Sequence, residues 1–348
     1  MRKFIIKISI FGIPSMLFIL FANIVGDKSR IFDNEYEQKI VRILSKGKNA
    51  TNISNYDDRK FQEIFINNLE FRPDIVVIGS SRSFSIDSSL FRGKSFVNLS
   101  VSRASIYDFI AIYQLLKLNN KLPKKLILSV DPWIFNEKNH HSRWLTLEKY
   151  YNQFTGKESG DEINWFIIRQ AFSISYFQES LFEIKSRLKG LDEPIPTFEI
   201  YNESNTKLKD GSLVYKDEIR NASIAIVKRK AGNYILGNNY GLSDYSSHSN
   251  ELLNHFISIL RNANRNKVEV VLFLAPFNPF IYDDLISKFP MIIKTEKLLN
   301  DIAIQFNVKI MGSYDPSHHN LDFNDFYDGL HLRKKKIDSL FIKSYAIN

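Results

Sequence analysis

The chain has 348 residues, 44% hydrophobic and 24% charged, the composition of a folded globular protein rather than a disordered one. It has no cysteine, which excludes a disulfide framework, thiol catalysis and any cysteine-ligated metal. Its formal charge of +9 suits anionic lipid or an anionic polymer, but no zinc-finger, RNA-recognition or helix-turn-helix signature accompanies the basic residues, so nucleic acid is not an expected partner.

The chain opens with Arg2 and Lys3, and from Ile8 to Val25 eighteen consecutive residues carry no charge. At 1.5 Å per residue that run spans about 27 Å, close to the hydrocarbon thickness of a bilayer. No polar face interrupts it, and "FANIVG" is a poor cleavage site, so a signal anchor is expected over residues 1–30, with the membrane span at about 4–25. The positive charge ahead of the span keeps the amino end in the cytoplasm and sends the rest outside, to the periplasm or cell surface. Residues 31–70 read as a stalk-like helical lead-in, with polar helices at 33–44 and 56–69.

From residue 71 strands and helices alternate: strand 74–78, a short helix at 86–91, strand 96–99, helix 105–118 and strand 125–131. That order predicts a parallel sheet with helices on its faces. The pattern changes near Asn139, and residues 140–245 read as a helical insertion with helices at 143–153 and 163–188. Alternation returns with helix 249–264, strand 268–276, helix 283–306, strand 308–312 and a closing helix from about 333. The expected fold is therefore α/β: one doubly wound parallel sheet, split by an insertion, behind an N-terminal transmembrane helix.

In such a sheet the carboxyl ends of the strands converge on one edge, where ligands bind. Four ends carry polar residues: Gly79-Ser80-Ser81-Arg82; Asn98, Ser100 and Ser102; Asp131 before Pro132 and Trp133; and Pro276 with Asn278. Near the carboxyl terminus "FYDGLHLRKKK" places Asp328 three residues before His331. Serine is unreactive until an imidazole takes its proton, and a carboxylate must hold that imidazole in the right tautomer. An Asp-x-x-His spacing alone is common at helix starts; its combination with the strand-end serines makes Ser81, His331 and Asp328 candidate catalytic residues.

Gly79-Ser80-Ser81 resembles the Gly-Asp-Ser block of the SGNH/GDSL hydrolases, with serine in place of aspartate, and Asp328-Gly329-Leu330-His331 is similar to that superfamily's closing Asp-x-x-His block. The anchor, the "GSSR" variant and "DPWIFN" look more like its membrane-anchored branch, which includes the teichoic acid D-alanyl transfer protein and the alginate-acetylation proteins. The resemblance implies a flavodoxin-like sheet over roughly residues 70–348. It also implies Ser81 as nucleophile with His331 and Asp328 behind it, and a serine esterase or O-acyltransferase activity without cofactor or metal. Its expected substrate is a cell-envelope polysaccharide or other acylated glycan, with a multi-spanning membrane acyltransferase as a partner. The middle blocks depart from the family. The amides of Ser81, Ser100 or Ser102 and the side chains of Asn98 or Asn136 are candidate oxyanion donors, because Asp131 stands where the family has an asparagine.

Other readings stay open beside these. Ser80 suits a turn, and Arg82 suits an anionic substrate or an ion pair. Trp133 suits packing or a sugar face, and Asp131 and Asn278 are further substrate-binding candidates. His140-His141 and His318-His319 lack a third ligand at metal spacing and read as loop histidines. The run Arg333 to Lys336 reads as a solvated helix face or a lure for an anionic polymer.

Overall fold

Ile75–Ile78 is buried throughout, and its neighbours in sequence face opposite ways: Val76 and Ile78 enter one apolar cluster, Ile75 and Val77 another. This is the period of a strand covered on both faces, as parallel strands are. The computed structural model describes residues 2–27, 35–139, 142–157, 168, 171–188, 193–237, 239 and 241–346. Its strands are β1 Asn49–Thr51, β2 Ile75–Ile78, β3 Phe96–Asn98, β4 Lys125–Ser129, β5 Ile195–Thr197, β6 Thr206–Lys207, β7 Leu213–Val214, β8 Glu269–Leu274 and β9 Lys309–Gly312.

Five of them form a parallel sheet in the order β3-β2-β4-β8-β9. Numbered by its own strands the order is 2-1-3-4-5, compatible with a doubly wound sheet. The helices Ile106–Leu118, Asn250–Arg265 and Met291–Phe306 cover one face. Lys334–Ala346 covers the other through Ile337, Leu340 and Phe341. The helix expected over 283–306 is two helices, Pro279–Lys288 and Met291–Phe306. Pro290 separates them, because a proline disfavours helical backbone in the residue before it.

The lead-in differs from the expected stalk. Tyr36, Ile40, Val41, Leu44, Phe61, Phe65 and Ile66 are buried in the main core. Arg59, 1% exposed, bridges Asp58 and Asp108 at 2.8 Å each, and Asp108 completes the capping box of Ile106–Leu118. The insertion is not purely helical either. It supplies β5, β6 and β7, which join β1 of the lead-in in an antiparallel sheet of order β5-β1-β6-β7. The tip between β6 and β7 braces the parallel sheet: Asn98 N donates to Asp210 O (2.8 Å) and Leu213 N to Phe84 O (2.8 Å). Gly211 makes that approach possible, since its φ is +84° and a Cβ would lie 2.5 Å from Asn98 O.

The first helix runs Arg2–Gly26, with side chains described from Ile10 on. Among the described residues no helix is long and apolar enough to cross a membrane.

Candidate functional site

Where β2 ends, Gly79 lets the chain turn closely over β4, for a Cβ there would lie 2.4 Å from Ser83 Oγ and 2.5 Å from Ser129 Cβ. A single turn of 3-10 helix, Ser81–Ser83, follows, capped by the Ser80 hydroxyl, which accepts from Arg82 N at 3.2 Å. Ser80 is 2% exposed and turns inward. Ser81 turns the other way, its Oγ 2.9 Å from His331 Nε2.

His331 reaches that point from a tight loop 250 positions along the chain. The loop is pinned at its base by the paired, buried Phe326 and Leu332 and closed by Tyr327 N donating to His331 O at 2.8 Å. Between the pins Asp328 folds back on the imidazole, with Oδ2 2.8 Å from Nδ1. Its Oδ1 also accepts the amides of Leu330 (2.7 Å) and His331 (2.9 Å). Burial pushes the Asp328 carboxyl up, but the adjacent imidazole and these hydrogen bonds outweigh it and hold the group well below the usual carboxylate range. An ionised carboxylate only accepts, so Nδ1 carries the proton and the Nε2 lone pair faces the serine hydroxyl. The histidine side chain is 22% exposed and that of Asp328 31%, leaving the line accessible from solvent.

The remaining sequence candidates are engaged inside the fold. Arg82 is 3% exposed and lies 4.4 Å over the Phe277 ring. It donates to Asp131 Oδ1 (3.2 Å), Pro276 O (2.9 Å), Leu330 O (3.4 Å) and Ala275 O. It therefore clamps three strand ends and the histidine loop instead of facing a substrate. Asp131 is its counter-ion. Burial raises the Asp131 carboxyl, opposed by Arg82 and a hydrogen bond to Ser80. Trp133 is 3% exposed and packs under Gly241, where a Cβ would lie 2.6 Å from its ring. Asn278 is fully buried; its amide donates to Asp328 O (2.9 Å) while its Oδ1 caps Pro279–Lys288. It holds the carboxylate's loop rather than a ligand.

The expected oxyanion donors are similarly occupied. Ser100 N donates to Asn98 Oδ1 (2.9 Å) and Ser102 N to Asp58 Oδ2. Asn98 Nδ2 donates to Ser83 O and Ile86 O, both at 2.8 Å, and Asn136 Nδ2 to Gly241 O, also at 2.8 Å. Of these candidates only the Ser81 amide meets no acceptor among the described residues.

Tyr215 is a site residue that sequence reasoning missed. Its hydroxyl donates to Ser81 O at 3.2 Å and its ring lies 5.9 Å from that of His331, edge-on. Burial, with Asp328 nearby, raises its phenol and keeps it a neutral donor. Lys207, which touches none of the three candidate catalytic side chains, is a second buried group that sequence reasoning missed. It is 1% exposed, sits over the rings of Phe61 (4.9 Å), Phe84 (5.5 Å) and Tyr56 (5.9 Å), and makes no ion pair among the described residues. Burial pulls its amine down to about 8. Only the position of Tyr215 just after the "KDGSL" turn could have singled it out, and no periodicity marks either residue.

Two clefts lie away from the serine. One of about 710 Å³ is lined by Tyr107, Asn136 and Trp144, the other, of about 740 Å³, by Tyr282, Glu296 and His318. Among the described residues no three His, Cys, Asp or Glu side chains cluster as metal ligands; His140 and His141 lie outside them. Three of the four basic residues in the run are tied down: Arg333 donates to Asn324 O (2.9 Å), Lys334 pairs with Asp87 (3.2 Å) and Lys336 with Asp325 (3.0 Å), while Lys335 is exposed. No family model and no curated protein sequence matches the chain.

Proposed function

We propose that the protein is a membrane-anchored, extracytoplasmic serine esterase or O-acyltransferase of the SGNH hydrolase type, acting on a cell-envelope polysaccharide. The single observation that carries this reading is the hydrogen-bonded line from Ser81 through His331 to Asp328. Ser81 Oγ attacks an ester carbonyl as His331 Nε2 takes its proton. The imidazolium, held by Asp328, then returns that proton to the departing alkoxide, leaving the acyl group on Ser81. Water or a sugar hydroxyl, deprotonated in turn by His331, accepts the acyl group. The sheet order 2-1-3-4-5, with the serine at the carboxyl end of its first strand, fits a flavodoxin-like SGNH sheet.

The anchor is proposed from the uncharged run Ile8 to Val25, about 27 Å at 1.5 Å per residue, which lies within the helix Arg2–Gly26. Its described side chains from Ile10 to Val25 include Phe11 (73% exposed), Phe21 (63%) and Phe18 (58%). A single helix cannot carry acyl groups across a bilayer, so a multi-spanning acyltransferase is the proposed donor-side partner.

A second reading, a non-catalytic glycan-binding or envelope-assembly protein on the same scaffold, is favoured by one observation: the candidate oxyanion donors other than the Ser81 amide are engaged elsewhere. The full chain in detergent, treated with a fluorophosphonate and with p-nitrophenyl acetate, separates the two. Labelling and turnover that fall at least about 10⁴-fold in Ser81→Ala support the enzyme. A folded wild type that neither labels nor turns over supports the scaffold.

A further inference from the structure

The first helix does not leave the domain as a free tether. Ala22, Asn23, Gly26 and Asp27 are all buried, a stripe of helical spacing turned towards the helix Ile174–Leu188. Asn23 Nδ2 donates to two carbonyls at the entry to that helix, Ala171 O (2.9 Å) and Ser173 O (3.0 Å). Tyr176 OH donates to Asp27 Oδ1 at 2.8 Å. Phe18 and Phe177 meet edge to face with centroids 5.6 Å apart. Gly26 lies so close that a Cβ would come within 2.4 Å of Ser180 O. Polar contacts at both ends of the stripe and a backbone approach in its middle fix one relative position of the two helices.

The second helix carries apolar side chains outward as well. Ile174 is 66% exposed and Leu181 42%, seven residues apart and so on one face with the exposed Gln178 between them, and Phe172 (41%) lies just before. They adjoin a helix whose exposed side chains from Ile10 to Val25 are apolar apart from Ser15, which donates to Phe11 O. Apolar side chains exposed over that length are unfavourable in water.

We propose that Ile174–Leu188 is a second membrane element. Braced to the first helix by Asn23, Gly26 and Asp27, it sinks its Ile174–Leu181 face into the hydrocarbon and holds the catalytic domain at a fixed height over the bilayer. The inference rests on the anchored reading above. Lipid is the occupant because the neighbouring helix exposes large apolar side chains from Ile10 to Val25, about 24 Å of its length at 1.5 Å per residue. A fixed height matters to an enzyme that works on a polymer and takes acyl groups from a membrane protein, because it sets which ester bonds the serine can reach.

The lack of native cysteine makes the test direct. Single cysteines replace Phe11, Ile174, Leu181 and, as a surface control, Ile304 (82% exposed) in the full chain, each carrying a nitroxide in bilayer nanodiscs. Power saturation compares collisions with oxygen, which partitions into lipid, and with a water-soluble nickel chelate. The oxygen-to-nickel ratios at 174 and 181 should group with position 11 and stand clearly above that at 304. If 174 and 181 group with 304 while 11 stays lipid-like, the inference fails and the anchor stands. If 11 also reads as aqueous, the anchored reading itself fails. Shielding of 174 and 181 from both reagents would show a second copy covering them and would overturn the lipid assignment. In the Gly26→Val background the Phe11 label should remain lipid-like while the Ile174 label loses its lipid signature; an unchanged Ile174 ratio would refute the brace.

Discussion

Ser81 and Arg82 are adjacent in the chain, and their side chains live in different worlds. Ser81 points outward to one imidazole, which with its carboxylate keeps a fifth to a third of its surface in solvent. Arg82 points inward, buried to 3%, and engages a carboxylate, strand-end carbonyls and an aromatic face. The outer line is free to move a proton because only the imidazole joins its ends. The inner clamp is built to stay: a guanidinium that ties the ends of β4 and β8 and Leu330 O to its own strand end sets where the histidine loop sits. On the proposed reading, the chemistry lies in three side chains and their alignment in the layer beneath.

The sharpest way to break that division is Asp328→Asn. An amide at this position removes the acceptor that fixes the Nδ1–H tautomer, so turnover of p-nitrophenyl acetate should fall on the order of 10³- to 10⁴-fold. Urea unfolding should shift much less; equal losses of stability and activity would mean the outer line is structural. Arg82→Ala tests the inner layer. It leaves Asp131 buried and unpaired and should cost about 3–5 kcal/mol in urea titrations. Arg82→Ala with Asp131→Ala should lose less than the sum of the two single changes, and strict additivity would deny the pairing.

Lys207 sharpens the comparison, since it is a buried cation that has ring faces where Arg82 has a carboxylate. Its folded pKa, about 8, lies below the ordinary 10.5, so the unfolded chain holds more protons between those values. Stability should therefore rise as pH is raised from about 8 towards 10.5, and the full penalty applies below 8. Lys207→Met should stabilise the protein by on the order of 2–3 kcal/mol at pH 7 and abolish that rise. A variant less stable at pH 7 would show that the amine has a partner worth more than its burial costs. Tyr215→Phe is the mildest change. Loss of its bond to Ser81 O should cost about 1 kcal/mol and less than tenfold in turnover. A larger loss of turnover, with KM unchanged, would give the phenol a part in the chemistry.

Periodicity carried the sheet. Ile75–Ile78, Leu126–Leu128 and Val270–Leu274 are apolar on both faces and too short for buried helices, which points to a covered sheet, so element type and order were legible within a few residues. The lead-in was misread because Asp58 and Arg59 look like solvent-facing charges. Their burial depends on Asp108, about fifty positions away, and on a second sheet assembled from strands of two or three residues that leave no periodic trace.

At the site, sequence by itself determined which residue types were present and that Ser81, Asp328 and His331 stood at strand and loop ends. Spacing within one motif is local, so the three-residue step from Asp328 to His331 was readable. Tertiary structure alone decided which of two neighbouring serines faces the imidazole, that Arg82, Asp131 and Asn278 brace the site from beneath, and that Ser100, Ser102, Asn98 and Asn136 are engaged elsewhere. The reason is physical: a polar side chain takes its role from whichever donors and acceptors the fold brings within about 3 Å, and those come from distant parts of the chain.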